Sequence, residues 1–181
     1  MHNNSHEINV LSAGGGCPPD AAVIDPCVCS INVNGDVVLS CNNKDLDDST
    51  ISNILFNYVL NQGLNSPLAL LNLNTNRLTR VPSGIANLPN LIGLFMDENQ
   101  VTTLPSDTTT FGPQTKLKYL SLANNQMTLI EAGALPGIVP QILPITSNYI
   151  ASLQHYYCYA SCRYWRRRFH FQLRQQPTCN V

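Results

Sequence analysis

Cysteine and histidine are the residues of this 181-residue chain best suited to chemistry, and their placement limits what that chemistry can be. Seven cysteines fall into two groups: Cys17, Cys27, Cys29 and Cys41 near the start, and Cys158, Cys162 and Cys179 near the end. The four histidines, His2, His6, His155 and His170, lie toward the two ends. His155, Cys158, Cys162, His170 and Cys179 are ligand types that zinc accepts. Their spacing matches no common zinc module, so a metal-dependent protein stands only as an alternative. There is no Gly-x-Ser-x-Gly, no His-Glu-x-x-His and no phosphate loop; Gly14, Gly15 and Gly16 lack a following Gly-Lys-Ser/Thr and read as a hinge. Asp97 and Glu98 are adjacent acids, but their position ends a predicted strand. A solvent-facing acidic spot is expected there rather than an acid–base pair. The chain is therefore expected to be no enzyme and to hold no cofactor or metal.

The remaining cysteine chemistry is disulfide formation. Residues 28–33 and 36–41 are two strand-like runs around Asn34-Gly35, the signature of a hairpin with a type I′ turn. That hairpin brings Cys29 and Cys41 into one small unit. Cys27 and Cys29, two residues apart in an extended segment, cannot bond each other without strain and must take different partners. Two connectivities remain: Cys17 with Cys29 and Cys27 with Cys41, or the same pairs with partners exchanged. Four free buried thiols are the alternative, disfavoured because the cluster lies where the following elements need an end cover. Paired cysteines imply an oxidising compartment. Residues 1–16 nevertheless show neither the basic n-region nor the apolar run of a signal peptide. They read as a disordered leader carrying Asn3-Asn4-Ser5, a formal glycosylation acceptor.

Those following elements are three copies of one phrase. The first is Leu68-x-x-Leu71-x-Leu73-x-x-Asn76-x-Leu78-x-x-Val81-Pro82. The second is Leu91-x-x-Leu94-x-Met96-x-x-Asn99-x-Val101-x-x-Leu104-Pro105. The third is Leu117-x-x-Leu120-x-Leu122-x-x-Asn125-x-Met127-x-x-Ile130. Apolar residues locked to an Asn at this period predict a solenoid of stacked coils. Alternation within each phrase gives a short strand with its leucines inward. Asn76, Asn99 and Asn125 are expected to satisfy backbone groups where each coil turns away from the sheet. Ile85, Leu88 and Phe111 fill the return arcs. Ahead of the repeats, Asp47 or Asp48 caps a helix with Ile51, Ile54, Leu55, Tyr58 and Val59 on one face, closed by Asn61-Gln62-Gly63. The expected class is α/β: a leucine-rich-repeat solenoid with a short parallel sheet of about three repeats, preceded by a disulfide-capped hairpin and one helix.

These residues resemble extracellular leucine-rich repeats, and Cys17-Pro18, Cys27-x-Cys29 and Cys41 resemble the cysteine cap that precedes them in animal matrix proteins and receptors. The resemblance covers residues 17–137. It implies crossed cap bonds, first cysteine to third and second to fourth, hence Cys17–Cys29 and Cys27–Cys41. Nine residues separate Cys17 from Cys27, more than such caps usually have. This long form, with a helix after the last cysteine, is similar to an arthropod and crustacean group. That group resembles the non-catalytic leucine-rich subunit of the secreted Oplophorus luciferase.

Function is expected on the outward strand positions, which line up as Leu70, Gly93 and Tyr119, then Asn72, Phe95 and Ser121, then Asn74, Asp97 and Ala123. Leu70, Asn72, Asn74, Phe95, Asp97, Tyr119 and Ser121 are the candidate binding residues. Phe95 and Tyr119 are the large aromatics among them. The expected role is a secreted protein-binding or scaffold module, of which the non-catalytic subunit of a secreted enzyme complex is one form that the resemblance implies. Its partner would be a protein ligand, with no nucleic acid. The alternative is an intracellular repeat adaptor. No membrane span is expected, because the best apolar run, residues 134–145, is broken by Pro136, Pro140 and Pro144. From Gly137 the phrase stops, and residues 138–181 read as an atypical tail: an improvised cap, a separate basic segment or a mispredicted exon. Residues 1–140 hold all eleven acids, whereas Arg163, Arg166, Arg167, Arg168 and Arg174 fall in the tail with no acid. Beside Tyr164, Trp165 and Phe169, the arginine run reads as a solvated segment rather than a nucleic-acid or lipid contact.

Overall fold

The computed structural model describes residues 15–63, 65–106, 110–111, 116–131, 133–135, 145, 147–148 and 152–153. Strands β1 (Val28–Ile31) and β2 (Val37–Ser40) form the leading hairpin, followed by helix α1 (Asp48–Gln62). The coils then supply β3 (Leu68–Asn72), β4 (Gly93–Phe95), β5 (Thr103–Leu104), β6 (Tyr119–Ser121), β7 (Leu129–Ile130) and β8 (Ser152–Leu153). One sheet runs β1-β2-β3-β4-β6, antiparallel only at its first pair; β5, β7 and β8 form a small parallel sheet on the return side. The expected α/β class and short parallel sheet are what forms.

Residues line up across the coils because each strand repeats the same inward–outward alternation. Leu39, Leu71, Leu94 and Leu120 are successive partners across the main sheet, and all four are fully buried. The next inward position continues the ladder. Cys41 N–H donates to Asn72 O at 2.8 Å, Leu73 N–H to Phe95 O at 2.7 Å and Met96 N–H to Ser121 O at 2.9 Å. Cys41 thus occupies the column of Leu73 and Met96. The cap is more than an end cover: β2 is the first parallel strand of the stack, with a cysteine where later coils place a leucine or methionine.

Of the two open connectivities, the molecule has Cys17–Cys29 and Cys27–Cys41. The hairpin differs from a type I′ turn. Asn32 N–H donates to Asp36 O at 3.0 Å, Gly35 N–H donates to Asn32 O at 3.0 Å, and within the turn only Gly35 has positive φ, 82°. This is a three-residue loop with a bulge at Gly35. The cause is Asn32, whose Oδ1 accepts from the N–H groups of both Asn34 and Asp36 at 2.9 Å. That local bonding shortens β1 to Ile31 and leaves Val33 in the turn.

Asp47 is the cap of α1: its Oδ1 accepts from Thr50 N–H at 2.8 Å and from Ser49 Oγ at 2.8 Å. Hydrogen bonding from Thr50, then Ser49, lowers its pKa to about 2. Asp48 does a different job, accepting from Thr79 N–H at 3.0 Å and so tying the helix to the first coil. Ile51, Ile54, Leu55 and Tyr58 are buried against that coil. The Tyr58 hydroxyl donates to Gly16 O at 2.7 Å; burial pushes its pKa up, partly opposed by a hydrogen bond with Ser66, so it stays a neutral donor.

The stack does not end at Gly137. β8 pairs in parallel with β7, and Asn148, 23 residues beyond Asn125, repeats the asparagine role described below. Read back from Asn148, the sequence holds Leu143-x-Ile145-x-x-Asn148-x-Ile150-x-x-Leu153, with Pro140 where earlier coils begin with leucine. The proline and the missing leading leucine hide this fourth coil. Residues 154–181, including the Cys/His set and the arginine run, lie outside the described residues, as do residues 1–14.

Candidate functional site: the outward face of the parallel sheet

Four asparagines hold the coils at fixed spacing and so fix the geometry of the outward face. Asn76 Oδ1 accepts from Leu46 N–H at 2.9 Å, while its Nδ2 donates to Cys41 O and Leu73 O, each at 2.9 Å. Asn99 Oδ1 accepts from Leu78 N–H at 3.0 Å, and its Nδ2 donates to Leu73 O at 2.9 Å and Met96 O at 3.2 Å. Asn125 Oδ1 accepts from Val101 N–H at 3.0 Å, and its Nδ2 donates to Met96 O at 2.8 Å. Asn148 Oδ1 accepts from Met127 N–H at 2.9 Å, and its Nδ2 donates to Leu122 O at 2.8 Å. Each amide therefore bonds its own coil and the one before it, which only a side chain carrying both donor and acceptor can do. The preceding residue is left-handed every time: Thr75, Glu98, Asn124 and Ser147 have φ of 57°, 57°, 53° and 58°. Asn43 in the cap has φ 54°, marking a fifth equivalent turn. The fold is a leucine-rich-repeat solenoid behind a cysteine cap.

With the coils so fixed, the outward columns are Val38, Leu70, Gly93 and Tyr119, beside Ser40, Asn72, Phe95 and Ser121. Val38 and Ser40 extend the expected columns into the cap. The sequence reading missed them because it treated β2 only as half of a hairpin. Leu70 and Phe95 meet over Gly93 at the middle of this face, Tyr119 is the register partner of Gly93 on the next strand, and all three are half-buried. Gly93 is the reason for that meeting. A Cβ there would lie 2.8 Å from Leu70 Cδ2 and 3.1 Å from Phe95 Cε2, so both side chains lie over its bare backbone. The patch is an apolar surface with a polar margin. Asn72 Oδ1 accepts from Asn74 N–H at 3.0 Å and Asn74 Oδ1 from Asp97 N–H at 2.8 Å, which fixes both amides along that margin.

Asp97 and Ser121 differ from expectation. Asp97 is half-buried: its Oδ1 accepts from Ala123 N–H at 2.8 Å and from the Ser121 hydroxyl. Ser121 is only 7% exposed, because its short side chain lies low among longer neighbours and its hydroxyl is used by Asp97. Ser121 is therefore a support for Asp97 and not an open binding position. Glu98 is exposed and accepts from Thr75 Oγ1 at 3.1 Å, linking two coils across the rim. Among the described residues no cluster of three or more His, Cys, Asp or Glu could hold a metal ion. Among them, too, no helix is long and apolar enough to cross a membrane.

No family model matches the chain. Podocan-like protein 1 of Mus musculus is 35% identical over 92 residues, 50% of this chain and 16% of that protein. Podocan of the same organism is 32% identical over 85 residues, 46% of this chain and 14% of that protein. Lumican of Gallus gallus is 33% identical over 102 residues, 56% of this chain and 26% of that protein. The matched segment thus spans about a quarter or less of these relatives. The crystal structure of a TLR13–ssRNA13 complex superposes with a TM-score of 0.44 at 26% identity, over 49% of this chain and 12% of that one. That overlap is too partial to bear on function.

Proposed function

We propose that this protein is a secreted recognition module whose outward sheet face binds a protein partner and which carries no catalytic activity of its own. The observation that carries the reading is the Leu70, Phe95 and Tyr119 patch, seated on Gly93 and ringed by Asn72, Asn74 and Asp97. An aromatic anchor within a polar margin is the composition of a binding hot spot. The two cap disulfides support an oxidising, extracellular setting, as does the likeness to podocan and lumican. Charge favours a protein over a nucleic acid. Asp97 and Glu98 are the charged groups at these outward positions, and no Lys or Arg stands in the columns to meet phosphates. Service as the non-catalytic subunit beside a secreted enzyme is one form of this role, implied only by the resemblance of the long Cys17–Cys27 cap to that arthropod and crustacean group.

The test is binding of secreted proteins from the source tissue to immobilised full chain, compared between wild type and Phe95→Ala with Tyr119→Ala. The reading expects specific retention that falls at least about tenfold in the double variant, which preserves the leucine core. Equal retention by wild type and double variant, or retention of nucleic acid alone, would overturn it.

A further inference from the structure

The hairpin that starts the sheet leaves an edge with no guard. β1 pairs with β2 on one side only, and among the described residues nothing pairs with its other side. Asn32 N–H bonds Asp36 O toward β2, so by alternation the backbone groups of Ser30 and Val28 also face β2, and those of Cys29 and Ile31 face outward. Edge strands normally carry a charge or a proline to discourage pairing. No charged residue lies between Asp25 and Asp36, and the only proline, Pro26, precedes β1. The side chains are apolar as well: Val28 is 59% exposed and Ile31 46%.

We propose that β1 is a self-association edge, at which two copies of this chain pair β1 antiparallel across a two-fold axis beside Ser30. In that register Cys29 of each copy faces Ile31 of the other. The outward donors and acceptors of both strands then bond one another, and the two five-stranded sheets become one continuous sheet. Ile31 of each copy packs beside the Cys17–Cys29 bridge of the other, because residues 29 and 31 share the inward face. A second copy suits this edge because an uncharged strand meets no like charge when paired with itself. The joined sheet also leaves both Leu70, Phe95 and Tyr119 patches open on the outward face, so the dimer would be bivalent for the proposed partner. It does not depend on that partner.

Sedimentation equilibrium on the full chain, with disulfides formed and free thiols alkylated, tests this from micromolar concentration to about 1 mM, the weak end of specific association. Amide exchange at Ile31 is followed at both extremes. The expected result is a rise in mass from monomer toward dimer, with Ile31 N–H protected only at high concentration. Ile31→Lys and, separately, Val28→Lys should each weaken association about tenfold or more while leaving the thermal melt of the oxidised protein unchanged. A monomer throughout, or a dimer in which Ile31 N–H exchanges equally fast at both concentrations, overturns the proposal. So does a dimer that survives Val28→Lys. The wild-type exchange result stands even if Ile31→Lys fails to fold.

Discussion

Replacing the coil asparagines by leucine should not cost the same at each position. Leu78 N–H bonds only Asn99 Oδ1 among the described residues. The carbonyls that Asn99 reaches have second donors. Leu73 O also accepts from Asn76 Nδ2 at 2.9 Å, Met96 O from Asn125 Nδ2 at 2.8 Å, and Asp97 O from Thr75 N–H at 2.8 Å. Asn99→Leu therefore orphans one buried N–H, at about 1–3 kcal/mol. Asn76 has no asparagine behind it, because the corresponding cap residue is Lys44. Asn76→Leu leaves the buried Leu46 N–H and Cys41 O without their partner and also releases the part-buried Lys44 N–H, which water can reach. Its cost should be about twice as large, roughly 2–6 kcal/mol. Urea unfolding with disulfides intact, at a slope of about 2 kcal/mol/M, should show the midpoint falling by about 0.5–1.5 M for Asn99→Leu and about twice that for Asn76→Leu. Equal shifts, or a smaller one for Asn76→Leu, would refute this account of shared carbonyls.

Other outcomes follow from single sites. Opening Cys27–Cys41 by paired serine substitution releases a loop of sequence separation 14 and should cost about 3 kcal/mol, read by the same titration. The pKa of Asp47 is lowered on folding, so its contribution is fully present above the ordinary value of 3.8 and is lost as pH falls toward about 2. The melting difference between wild type and Asp47→Ala should therefore shrink over that window and stay constant above it. Gly93→Ala should displace the flexible ends of Leu70 and Phe95 while changing stability by less than about 1.5 kcal/mol. The change in ring current at the Leu70 methyls reports it by NMR, and partner binding should fall with it.

The sequence made the repeat legible because leucines and asparagines recur at fixed offsets, and a column needs nothing beyond residue type and spacing. The helix was equally open to reading, down to Asp47 or Asp48 as its cap, since capping is local. What stayed hidden depends on side chains acting across coils or against a neighbour. Asn32 overrides the Asn34-Gly35 signal by bonding two N–H groups of its own turn. Ser121 looks like any outward serine until Asp97, 24 residues earlier, is seen to take its hydroxyl. Gly93 looks like a gap in a column, whereas it is the seat on which Leu70 and Phe95 meet. The fourth coil escaped because Pro140 replaces the leucine that announces the others, although Asn148 stood at the expected distance. Val38 and Ser40 were absent from the expected face because a cysteine, Cys41, stands where the pattern asks for leucine.

The central claim, that recognition takes place on the outward face of the parallel sheet, is tested most directly by amide and methyl footprinting of the full chain with and without its protein partner. The account predicts protection at Leu70, Asn72, Asn74, Phe95 and Tyr119, with no change along the return arc at Ser83–Asn87 or on α1. Protection confined to the return arc or to α1, with Phe95 and Tyr119 unaffected, would contradict it.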